Sequence, residues 1–137
     1  MSLPLPTILL VDDDDDDVLL VRRALGSAGW CGPIQRVADG QELLEYLLGK
    51  GAWAGSPLPG LILLDLNMPR LDGRSALARL RAIPDLALLP VIVLSTSGSP
   101  RDRSEAIELG ANDFIQKPST YADLVAAMRT TREVWLP

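Results

Sequence analysis

Six consecutive aspartates, Asp12 to Asp17, follow directly on the apolar run Ile8-Leu9-Leu10-Val11. Three other reactive groups share that placement: Asp65 comes after Leu61 to Leu64, Ser95 after Val91 to Leu94, and Lys117 after Asp113 to Gln116. Short apolar runs of this kind read as strands, so each group stands at a strand end. Asp12, Asp13 and Asp65, brought together, would raise one another's pKa and titrate as a coupled set, a conflict that a hard divalent cation resolves. Oxygen-only ligands favour magnesium or manganese over zinc, and magnesium keeps waters that leave room for a phosphate oxygen. Both an aspartate and a phosphoryl group are anionic, so transfer between them needs a bridging metal and a lysine on the phosphoryl oxygens. Asp65 is the best-placed acceptor for such a transfer, with Lys117 as the cation.

Composition removes most other chemistries. The chain has no histidine and one cysteine, Cys31. An internal disulfide, a His-based zinc site and a Ser-His-Asp triad are therefore excluded. The aspartate block dominates the charge, since deleting its six carboxylates takes the chain from −5 to +1. With no basic surplus and few aromatics, no nucleic-acid partner is expected. The apolar runs fall far short of the roughly 20 residues that span a bilayer, so no membrane partner is expected either. The start, Met1-Ser2-Leu3-Pro4, lacks the basic and apolar regions of a secretory signal, which makes a cytoplasmic location the expectation. A length of 137 residues, 47% of them hydrophobic, suits one domain with a single core.

These groups need a frame. Thr7 to Val11, Ile34 to Val37, Leu61 to Leu64 and Val91 to Leu94 read as strands buried on both faces, with Asp113 to Gln116 a weaker fifth. Helical spacing runs through Val18, Val21, Leu25 and Ala28, then Leu43 to Leu48, then Ala76, Leu77 and Leu80. Pro100 to Leu109 is closed by Gly110, and Tyr121 to Trp135 makes a fifth helix. Gly49 to Gly60, with Trp53, reads as a long surface loop. Five strand-helix units imply an α/β fold, a doubly wound parallel sheet with helices on both faces. Strand order 2-1-3-4-5 would make strands one, three, four and five contiguous and gather the reactive groups at the sheet's carboxyl edge.

Each residue also has a plainer role. Asp14 to Asp17 fall at a helix start, where negative charge offsets the helix dipole by roughly 0.3–1 kcal/mol each. They are assigned to capping and solubility. Ser95 could equally open a polar turn, Ser95-Thr96-Ser97-Gly98. Phe114 is either a residue packed in the last strand or a mobile switch. The Lys117-Pro118 bond, if cis, would aim Lys117 back into the pocket.

In combination the motifs resemble the receiver domain of two-component response regulators, over residues 7 to 135. They are Ile8 to Asp13; Leu64-Asp65-Leu66-Asn67-Met68-Pro69 with Asp72-Gly73; Ser95; and Gly110 to Pro118. The resemblance implies a five-stranded flavodoxin-like (CheY-like) sandwich, a single receiver domain over 1–137 with no output domain. It implies that Asp65 accepts a phosphoryl group from a histidine kinase. Asp13, Asp65 and the backbone carbonyl of Asn67 would hold magnesium, with Asp12 in support. Ser95 and Lys117 would contact the phosphoryl oxygens, and an inward pull on Ser95 would let Phe114 rotate and reshape the surface of the fourth helix, fifth strand and fifth helix. That face could also carry a homodimer. The long second loop and the ending Glu133-Val134-Trp135-Leu136 resemble small regulators paired with bacteriophytochrome-type kinases.

Two rivals stand beside this reading. Phosphatases with an aspartate nucleophile resemble Asp-x-Asp, whose second acid protonates the leaving group; here Asp65-Leu66-Asn67 offers an amide, which cannot do so. The chain is therefore expected not to be an enzyme beyond its own phosphorylation and dephosphorylation. A receiver-like scaffold working without phosphorylation is the other.

Overall fold

The computed structural model describes residues 4–68 and 71–137, so Pro69 of the Leu64 to Pro69 motif lies outside the described residues. Five parallel strands form one sheet: β1 (Ile8–Val11), β2 (Ile34–Val37), β3 (Leu61–Leu64), β4 (Val91–Ser95) and β5 (Asp113–Gln116). Their order is β2-β1-β3-β4-β5, the order that gathers the reactive groups at one edge. The helices are α1 (Asp15–Ser27), α2 (Gly40–Leu47), α3 (Gly73–Ala82), α4 (Pro100–Glu108) and α5 (Tyr121–Trp135).

Period-two alternation along the central strands divides the core between the two sheet faces. Leu9 and Val11, Ile62 and Leu64, and Val91 and Val93 pack with Leu43, Leu77, Leu80 and Ala106 beneath α2, α3 and α4. Ile8 and Leu10, Leu61 and Leu63, and Ile92 and Leu94 pack with Val18, Leu25, Leu124 and Met128 beneath α1 and α5. Both side-chain sets are buried, at about 1.5–3 kcal/mol for each large apolar group.

Local signals set the helix starts. Asp14 caps α1 by accepting from the N–H groups of Asp16 and Asp17, Asp39 caps α2 by accepting from Glu42 N–H, and Ser99 caps α4 ahead of Pro100. After α4, Gly110 takes a φ of +110°, which favours glycine.

Several expectations change. β2 is not buried on both faces: only Val37 is, while Ile34, Gln35 and Arg36 are half-buried, because an edge strand has a neighbour on one side alone. β1 begins at Ile8 rather than Thr7, and Ser95 is the last residue of β4 rather than the first beyond it. The segment 49–60 includes a short 3-10 turn, Gly51–Trp53. Trp53 is half-buried there, its ring centroid 5.1 Å from that of Tyr46. No peptide bond among the described residues is cis, so Lys117-Pro118 is trans.

Candidate functional site

The carboxyl ends of β1, β3, β4 and β5 meet along one edge of the sheet. Register fixes their relative height: Val11 lies opposite Leu64, Leu64 opposite Val93, and Ser95 opposite Gln116. The next residues along β1, β3 and β5 are Asp12, Asp65 and Lys117.

Asp12, Asp13 and Asp65 each bring a carboxylate oxygen within 4.8 Å of the other two. They differ in setting, Asp12 being 7% exposed, Asp65 half-buried and Asp13 exposed. Asp12 is held at three points. Its Oδ1 accepts from Asp14 N–H at 2.9 Å, its Oδ2 from Lys117 Nζ at 3.1 Å, and its main-chain carbonyl from Arg36 Nε at 2.9 Å. Asp65 Oδ1 accepts from the N–H of Asn67, an exposed residue, at 3.3 Å.

Gly73 explains how α3 approaches this loop so closely. A Cβ there would collide with the Asp65 carbonyl and stand 2.8 Å from Leu66 Cα. Only a residue without a side chain lets the helix begin against the backbone that carries Asp65. Asp72 then caps α3 by accepting from Ser75 N–H at 2.8 Å.

Ser95 is fully buried, and its hydroxyl accepts from Ser97 N–H at 3.1 Å. Phe114 is buried on β5 in the cluster that holds Val93, Ala106 and Ala111. Its carbonyl accepts from Arg103 of α4 at 3.1 Å. Lys117, its side chain 12% exposed, donates to Asp12 and to Asp17, the latter at 2.9 Å.

Electrostatics follow from this packing. Burial is the largest influence on Asp65 and pushes its pKa above the usual carboxylate range. Asp12 and Asp13 push the same way, while Lys117 and the Asn67 N–H oppose them. Burial alone would depress Lys117, but the carboxylates of Asp17, Asp12 and Asp65 together outweigh it and raise its pKa. The site thus holds a dense negative charge whose cation is already engaged. An all-oxygen trio of this spacing fits a hard divalent cation.

All the residues singled out by sequence come to this edge except Phe114, which lies three residues before Lys117 on β5 with its ring in the core. Two further participants were missed. Asp17, by its charge a solvated helix-start residue, pairs with Lys117; it precedes Val18 and stands four residues before Val21, so helical spacing turns it toward the buried face. Arg36 left no comparable sign, since it reaches the site from an edge strand to grip the Asp12 carbonyl and, at 2.8 Å, Asp15.

Known proteins resemble this chain in sequence and in fold. Residues 8–129 match the response regulator receiver domain. Response regulator Rcp1 of Synechocystis sp. is 36% identical over 135 residues, covering 98% of this chain and 92% of Rcp1. The Mn(2+)-bound form of Rcp1 superposes with a TM-score of 0.86 over 96% of this chain and 94% of that one. The phosphorylated cyanobacterial phytochrome response regulator RcpA, 36% identical, gives a TM-score of 0.88 with 96% and 98% coverage. RPA3017, a response regulator in red light signaling of R. palustris, is 38% identical and gives 0.91 with 97% and 99% coverage. With sequence and fold in agreement, this chain belongs to the response regulator receiver domain family, the CheY-like modules of two-component signalling.

Proposed function

We propose that this receiver accepts a phosphoryl group on Asp65 from a histidine kinase and signals by changing the surface it offers to other proteins. One observation carries the reading. The Asp65 carboxylate stands half-buried at the end of β3, within 4.8 Å of Asp12 and Asp13 oxygens, on the edge that also holds Lys117.

Asp65 attacks the phosphorus, an O–P bond forms, and the N–P bond to the donor imidazole breaks as that ring leaves and is protonated by solvent. Asp12, Asp13, Asp65 and the carbonyl of Asn67 would hold magnesium, which supplies charge neutralisation for an anionic phosphoryl group. Lys117 donates to a phosphoryl oxygen, and Ser95 offers its hydroxyl to another. Movement of Ser95 would be felt by Phe114, whose strand lies beside it, and through Arg103 by α4. The surface of α4, β5 and α5 is then the output, toward a target or a second copy of the chain. The amide of Asn67, in place of a second acid, is why no substrate turnover is assigned. The names of RcpA and RPA3017, with their phytochrome and red-light associations, support a phytochrome-type kinase as the donor. Cytoplasmic action fits a chain in which, among the described residues, no helix is long and apolar enough to cross a membrane.

The test is intact-mass spectrometry after incubation with magnesium and phosphoramidate. One phosphoryl group is expected on the wild-type chain and none on Asp65→Asn. Labelling that survives the substitution overturns the assignment, and a wild-type chain that takes no label supports the scaffold instead.

A further inference from the structure

Lys117 is shared by two carboxylates from different elements. Its Nζ lies 3.1 Å from Asp12 Oδ2 at the end of β1 and 2.9 Å from Asp17 Oδ2 in the first turn of α1. Among the described residues, Asp65 is not one of the acids within 4.0 Å of that ammonium. Asp17 is no loose surface group either, its side chain being 36% exposed against 87% for Asp15.

That geometry has a chemical consequence. An ammonium has three donors, and two are taken by Asp12 and Asp17, so one is left for a third acceptor. A buried lysine free to move on this edge would be drawn to the Asp65 carboxylate. Such a contact would occupy the nucleophile and fill the space that an incoming phosphoryl group needs. A lysine held back from Asp65 leaves that space open, and its free N–H meets the phosphoryl oxygen that arrives there.

We infer that Asp17 is a positioning residue, which anchors Lys117 at a stand-off from Asp65 so that the ammonium serves the transferred phosphoryl group rather than the bare carboxylate. This deepens the phosphoacceptor reading and rests on it. Asp17 is not one of the three acids of the candidate metal trio. It acts through Lys117 alone. Its loss should therefore matter only while the lysine is present.

The experiment is a double-mutant cycle on the full chain, using phosphoramidate as donor and saturating magnesium. Ammonia leaves as the P–N bond breaks and Asp65 takes the phosphoryl group. Asp17→Asn should slow labelling by about tenfold, the lower end of what losing an orienting partner costs. In a Lys117→Gln background the same change should have no further effect, and Asp17→Glu, which keeps the carboxylate, should recover most of the rate. A second readout is independent of activity. The chain has two lysines, Lys50 and Lys117, so side-chain 15N NMR reports them separately. The Lys117 ammonium signal should be sharp in the wild type and broadened by faster proton exchange in Asp17→Asn. Unfolding temperature checks that the variant is folded.

Equal labelling by wild type and Asp17→Asn, or an equal loss with and without Lys117, overturns the inference while leaving the phosphoacceptor reading intact. An unlabelled wild type overturns both.

Discussion

The main-chain N–H of Lys117 donates to the main-chain carbonyl of Ser95 at 2.6 Å, tying the residue after β5 to the last residue of β4. The two groups assigned to the phosphoryl oxygens therefore leave the sheet from adjacent strands with their backbones fixed to each other. Their contributions differ in kind, because Lys117 brings a charge and Ser95 a neutral hydroxyl. Hydrogen bonds from charged donors are roughly twice as strong as neutral ones. Lys117→Gln should slow labelling of Asp65 by about 100-fold, the low end for a lost preorganised donor. Ser95→Ala should cost distinctly less. Initial rates by intact mass check the order, and a reversed order refutes the division of roles.

Three carboxylates within 4.8 Å of one another repel in the absence of a cation. Magnesium at about 100 times its Kd should stabilise the chain by about 2.7 kcal/mol, which for a domain of this size raises the unfolding temperature by roughly 10 °C. Asp13→Asn should remove most of that gain and, in EDTA, leave the chain more stable than wild type. Thermal unfolding with and without magnesium measures both. An Asp13→Asn variant that is less stable than wild type in EDTA would show that repulsion within the trio is not what the metal relieves.

Much of this site was legible because it is built from strand ends. An apolar run followed at once by Asp12, Asp65 or Lys117 marks both the element and the edge at which its successor emerges, and the strand order then brings those edges together. What escaped depends on distances between segments. Ile34 to Val37 has too short a pattern to distinguish a central strand from an edge strand, and β2 is the edge. Asp17 sits in a run of six identical residues, so composition hid the one member of Asp14 to Asp17 that reaches Lys117. Arg36 and Arg81 act on residues 24 and 31 positions away along the chain, through contacts that no local pattern encodes.

Arg81 is the clearest of those contacts. Its guanidinium donates to the carbonyls of Gly110 at 3.0 Å, Ala87 at 3.0 Å and Leu89 at 2.8 Å, and to Asn112 Oδ1 at 3.0 Å. It thereby fastens the end of α3 to the two loops that lead into β4 and into β5. Arg81→Ala strands several half-buried acceptors at once and should cost about 2–4 kcal/mol. Arg81→Lys should restore less than half, since an ammonium cannot span the fork. The urea midpoint, at unchanged slope, is the measurement. A loss below 1 kcal/mol would mean that water replaces the fork without penalty.

Tyr46 gives the fold a sensitivity to alkali. Its ring is buried against Trp53, and its hydroxyl donates to the Pro57 carbonyl at 3.0 Å, pinning the segment that follows α2. Burial raises the phenol's pKa, because the phenolate is poorly solvated there. The folded state thus holds its proton more tightly than the unfolded chain does. The stability this gives is fully present below the unfolded value of about 10 and is lost as pH rises through the folded one. At pH 7, Tyr46→Phe should cost about 1 kcal/mol for the hydrogen bond. Above pH of about 10 the wild type should weaken with pH more steeply than Tyr46→Phe, and the gap between them should narrow. Every other titrating group is common to both chains, so the difference isolates Tyr46. Urea titrations followed by tryptophan fluorescence at a series of pH values measure that gap, and a gap constant across the alkaline range would show that the folded and unfolded chains ionise this phenol alike.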